Sequence, residues 1–173
     1  MICVEDIISE IVASTNKDLV RSNIVVYFQY GTLREIVDNL DKLTQANSVE
    51  KYPLIALIEP FKQQKGIYDI ESKVNTRLLI ATYTTRNLKT DERLELNFKP
   101  CLFPIYDAFI ERLKRSENVR VENISHTVIN HFEIGRESLT GYDGSTFNDH
   151  IDAIEIQDLE INIKKKQCKL KNF

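Results

Sequence analysis

TFNDHIDAIEIQDLEINIKKKQC, residues 146–168, decides how this chain is read. Asp149, His150, Asp152, Glu155, Asp158 and Glu160 crowd into it, so it is either a metal-dependent active site or a strand with an acidic side. Strand geometry separates the two, because successive side chains of a strand point to opposite faces. Ile154 and Ile156 share one parity, whereas Leu159, Ile161 and Ile163 share the other. The switch falls at Gln157-Asp158. One extra residue there, a β-bulge, returns all five apolar side chains to a single core face. Glu155, Glu160 and Asn162 then fall on the wet side. A metal centre would instead need three or four ligands converging on one point. Asp149, His150 and Asp152 could approach one, but no second cluster elsewhere complements them. The stretch reads as a strand, with no metal ligand assigned.

Upstream, Val4, Ile7, Ile8 and Ile11 recur at helical spacing, and this first helix is expected to end near residues 14–16. NIVVYFQYG, 23–31, is β-branched and aromatic and reads as a buried strand. Thr32 and Glu35 form a capping box ahead of the stripe Leu33, Ile36, Val37, Leu40 and Leu43, a second helix. Leu54 to Ile58 is apolar at every position, as in a strand covered on both faces. KVNTRLLIATYTT, 73–85, is a second long strand, and a polar loop over 61–72 would join the two as an antiparallel pair. RNLKTDERLELN, 86–97, reads as a polar connector. Pro104 opens a third helix whose buried face is Ile105, Tyr106, Phe109, Ile110 and Leu113. Strands follow at about 119–122, 126–134 and 152–164, with a glycine-bearing loop at 135–150.

Composition is that of an ordinary globular chain, 42% apolar and 28% charged. No apolar run approaches the length that spans a bilayer. Glu5 and Asp6 stand where a signal peptide carries basic residues, and Cys3, Cys101 and Cys168 form no paired framework. A reducing cytoplasm is the simplest home. His126 and His131 are five apart, so a regular strand sends them to opposite faces. The familiar catalytic and phosphate-binding motifs are absent, as is any basic-aromatic interleaving for nucleic acid. A hydrolase or nuclease built from scattered Asp, Glu and Lys remains a reading, because such sites leave weak traces in sequence. So does a monomeric adaptor for one protein partner.

Charge is unevenly placed. Residues 164–173 hold Lys164, Lys165, Lys166, Lys169 and Lys171 and no acid, so removing their +5 from the chain's net −3 leaves −8 on residues 1–163. Such a body repels DNA at close range, while the basic tail can reach an acidic partner.

Three stretches taken together resemble a known family. They are YPLIALIEPFKQQKG (52–66), FKPCLFPIYDAFIERLKRS (98–116) and GYDGSTFNDHIDAIEIQDLEINI (141–163). A proline-led apolar strand, a helix with P-x-Y-x-x-F-I-x-x-L spacing and a closing N-D-x-x-D-A-I-E-I strand resemble the ring-forming neck and tail-completion proteins of tailed bacteriophages. The likeness is greatest to those of the crAss-like type and covers roughly residues 50–163. It implies an α+β fold: one domain, residues 1–163, with a mostly antiparallel sheet of about four to six strands flanked by about three helices. It implies a structural virion protein, without catalytic residues or cofactor, that closes into rings of roughly six or twelve copies. Such rings stack with neighbouring neck or tail rings between portal and distal tail, around a channel through which DNA passes as cargo, and they contact no membrane. The N-terminal helix and the lysine tail depart from the tail-terminator pattern.

The tail is the expected partner-binding element: Lys164, Lys165, Lys166, Lys169 and Lys171 would meet acids, with Leu170 and Phe173 as apolar anchors. Truncation after Ile163 should leave the melting temperature almost unchanged but weaken assembly or docking. Because exposed charge pairs are screened beyond about 8 Å at physiological ionic strength, the weakening is expected to change with salt. Unimpaired assembly at every salt concentration would make the tail a solvated end.

Overall fold

The bulge is where the apolar parity puts it. Strands β3 (Glu71–Tyr83) and β6 (Ile151–Lys164) are antiparallel, and their register slips once. Thr76 lies opposite Leu159 and Leu78 opposite Ile156, so Gln157 and Asp158 together face the single residue Arg77. Asp158 takes a φ of 55°, the left-handed region that Asp enters more readily than most residues. Ile154, Ile156, Leu159, Ile161 and Ile163 are buried in one common core. The structure, a computed structural model, describes residues 3–46, 50–65, 71–120, 125–134 and 149–164.

Around this pair the sheet runs β1 (Tyr27–Thr32), β2 (Leu54–Lys65), β3, β6. Two short partners share the far side of β6. Strand β5 (Thr127–Ile134) lies along residues 151–157 and β4 (Val119–Arg120) along 162–163. Among the described strands only β1 with β2 is parallel; the other pairs are antiparallel. The chain is thus α+β, one domain with a mixed sheet between helices, as expected.

Helices cover both faces. On one, α1 (Val4–Leu19) and α4 (Phe103–Arg115) enclose the larger core with Ile55, Leu57, Leu78, Ile80, Ile154, Ile156, Ile161 and Ile163. On the other, α2 (Leu33–Gln45) packs Leu33, Ile36, Val37 and Leu40 on Leu54, Ala56, Ile58, Leu79 and Ala81. Leu54 to Ile58 alternate between the two cores, which is why the run is apolar throughout. The Thr32–Glu35 capping box is formed, with the Glu35 N–H donating to Thr32 Oγ1 and the Thr32 N–H to Glu35 Oε2.

Four expectations are corrected. The first helix continues to Leu19, because Thr15 is buried with its hydroxyl donating to Ile11 O and Leu19 joins the core. The 23–31 run is not a buried strand: it becomes β1 only at Tyr27 and lies at a sheet edge, with Val25 and Tyr30 exposed. The 61–72 loop is largely strand, since β2 reaches Lys65 and β3 starts at Glu71. The 86–97 connector is mostly helix: α3 (Thr90–Arg93) leads into a π-helical segment (Leu94–Leu102) and, with helical torsions at each join, into α4. Its apolar stripe of Leu94, Phe98 and Leu102 is masked by acids and lysines on the outer face. The Phe103 N–H donates to Phe98 O, five residues back. That wider turn gives Pro100, which lacks an N–H and crowds an ordinary helix, a place in the run.

Asp158 tests the bulge. Deleting it would turn Leu159, Ile161 and Ile163 away from the core. At on the order of 2–5 kcal/mol for each large aliphatic lost from a core, the deletion should consume a typical margin of about 5–15 kcal/mol and unfold the domain. Asp158→Gly, which suits a positive φ, should stay within about 1 kcal/mol of the parent. Denaturant titration checks both; a folded deletion variant would contradict this register.

Candidate functional site

The six ionisable residues of the opening stretch do not converge. Asp149 receives Lys51 Nζ at 2.5 Å and the Tyr52 hydroxyl at 2.9 Å. His150 Nε2 accepts from Arg86 Nε at 2.8 Å, and its Nδ1 lies 3.8 Å from Glu133. Asp152 pairs with Arg93, Glu155 with Arg77 and His131, and Glu160 with Lys73, while Asp158 sits exposed on the bulge. Among the described residues no three of His, Cys, Asp and Glu are grouped so as to hold a metal ion.

The most enclosed of these contacts joins helix to sheet. Arg93 is 2% exposed and Asp152 is fully buried, at 3.1 Å. The guanidinium also donates to Leu88 O, Thr85 O, Thr84 Oγ1 and Glu133. Asp152 accepts from Asn97 Nδ2 and from the Glu133 N–H, which a φ of 57° at Glu133 turns inward. Each charge is saturated by fixed partners, the condition under which a buried pair recovers its desolvation cost. Arg93 and Asn97 lie one turn apart on the helix, so they address the same strand end.

Glu155 anchors a second cluster on the opposite sheet face. The wet side expected for it is wrong: its side chain is 2% exposed, because the side chains of Arg77, His131 and Gln157 close over it. Glu160 and Asn162, beyond that cover, are exposed and half-buried. Burial raises the Glu155 pKa, but hydrogen bonds from His131, Gln157 and Arg77 outweigh it and hold the carboxyl down at about 2. A third cluster pairs buried Lys51 with Asp149 and Thr44, and burial together with the Asp149 charge pushes the Tyr52 phenol up. His126 and His131 do face opposite ways, the first toward the Tyr106 hydroxyl at 2.7 Å and the second toward Glu155.

These clusters clamp strands and helices together, and none lines the groove of about 260 Å³ between α1 and the end of α4, bordered by Glu10, Ser14, Arg112, Arg115 and Asn118. The tail is mostly beyond description. Lys164 closes β6, its N–H donating to Asn118 O, so a tail deletion belongs after it. Lys165, Lys166, Lys169, Leu170, Lys171 and Phe173 lie outside the described residues. No described helix is long and apolar enough to cross a membrane. The sequence matches no model of a known protein family, and no curated protein matches it as a relative.

Sequence reasoning missed Arg93, Arg77 and the burial of Glu155. Arg93 carried a trace, the i, i+4 pair with Asn97 beside the Leu94–Phe98 stripe. Glu155 carried none, because its cover comes from residues distant in sequence.

The Glu155 cluster predicts an acid limb. Its folded pKa is depressed below the ordinary 4.5, so its stabilisation is full above that value and is lost as pH falls toward about 2. Glu155→Gln should lower stability at pH 7 and flatten the decline between those limits. An acid limb of unchanged steepness in the variant would show that Glu155 does not govern it.

Proposed function

We propose that this chain is a structural subunit of a closed ring in the neck or tail of a tailed bacteriophage, stacked between portal and distal tail with DNA passing through. The observation that carries the reading is a sheet that, among the described residues, ends in unlike strands, with β1 at one end and β5 and β4 at the other. A subunit with two different edges can join its copies head to tail, and such contacts close into rings when the rotation per subunit permits. The resemblance of residues 52–66, 98–116 and 141–163 to ring-forming phage proteins supports the same role. So do the acidic clusters, whose carboxylates are tied to basic or hydroxyl partners as structural clamps. A net −8 on residues 1–163 suits a channel through which DNA slides without adhering. The role is structural rather than catalytic, the site of action is the virion, and the partners are further copies and the adjoining rings.

Light scattering on the purified chain tests this. The expected result is one discrete species of roughly six or twelve subunits. A mass of one 20.1 kDa subunit across the accessible concentration range would contradict it.

A further inference from the structure

Among the described residues the two outer edges of the sheet are poor in charge, with Arg120 on β4 and Glu133 near the end of β5 as the exceptions. Residues 22–32 (SNIVVYFQYGT) and 123–132 (NISHTVINHF) contain no Asp, Glu, Lys or Arg, in a chain of which 28% is charged. Natural sheet edges are commonly blunted with charged side chains, because unpaired strand N–H and C=O groups otherwise recruit other chains. These two carry exposed apolar side chains instead: Val25 and Tyr30 at the β1 edge, Val128 and Phe132 on β5.

The β1 edge is closed at its ends and open in the middle. Asn16 meets both the N–H and the C=O of Val26, and Glu35 takes the Thr32 N–H. The Tyr27 N–H donates to Pro53 O toward β2, so strand alternation turns the main-chain groups of Phe28 and Tyr30 outward. The rings of Phe28 and Tyr30 stack 6.1 Å apart, and Tyr30 is 56% exposed. Gln29, between them, has a side-chain oxygen screened from solvent with no hydrogen-bond partner among the described residues. At the other edge Phe132 lies 4.6 Å from Phe98 and is 38% exposed. Phe28 and Phe98 belong to the same core, so the aromatic pairs of both edges lie on one face of the sheet.

We propose that β1 of one subunit docks along β5 of a second copy, continuing the sheet across the boundary and joining the two aromatic pairs into one stripe. This rests on the ring reading only for closure. Pairing like with like, β5 on β5 or β1 on β1, would cover one edge and leave the other with its aromatic pair and open amides in water. Unlike pairing covers both with a single kind of contact.

Edge-blocked variants test it. Tyr30→Lys and Val128→Lys each place a charge on one edge at an already exposed position, and circular dichroism melts confirm that each variant folds. By light scattering each alone should fall to subunit mass, while an equimolar mixture should form a 1:1 dimer of twice that mass through the one intact pair of edges. Restored pairing also shows that both variants are folded. A dimer formed by either variant alone would overturn the proposal in favour of like-with-like contact. Rings formed by both variants as by the parent would overturn it while leaving the ring reading intact. A parent chain that forms open head-to-tail oligomers lost in both variants would support the edge contact and defeat the ring. A monomeric parent defeats both.

Discussion

Strand β6 must feed one core with apolar side chains over fourteen residues, and a regular strand of its sequence cannot do so. Ile154 and Ile156 would face one way and Leu159, Ile161 and Ile163 the other. The extra residue at Gln157-Asp158 removes the conflict, and much of the architecture depends on it. With the parity restored, β3 pairs with β6 from Tyr83 to Glu71, and α1 and α4 find one continuous apolar surface. The same step leaves Ala153 and Glu155 on the opposite face, where α2 meets the smaller core.

The buried charges then act as fasteners. Arg93 and Asn97 hold the helical run from Thr90 to Arg115 to the start of β6, and Arg77 and His131 hold β3 and β5 to Glu155. Asp152 and Glu155 are each held by three hydrogen-bonding neighbours. Among the described residues, what remains unused by the subunit lies at the sheet edges, where main-chain groups and aromatic side chains face outward with few charges beside them. That distribution, with chemistry consumed inside and pairing capacity left at the rim, is the basis for reading the chain as an assembling part.

Much of the fold was legible because its signals are local. The capping box, the α2 stripe, the apolar Leu54–Ile58 run and the parity change at Gln157-Asp158 each sit within a few residues. The misread parts depend on distant ones. The helical nature of Thr90–Leu102 is hidden by an outward face of acids and lysines around Leu94 and Phe98, and by Pro100, which a wide π-turn accommodates. Glu155 looks like a wet-side acid until Arg77 of β3 and His131 of β5 are brought to it. The openness of the β1 edge is a fact of strand order, although the charge-free runs that mark both edges stand plainly in the sequence.

Electron microscopy of the purified protein tests the central claim most directly. The account predicts closed rings of uniform size, each with an axial opening wide enough to pass a DNA duplex. Featureless single subunits, or filaments without closure, would contradict it.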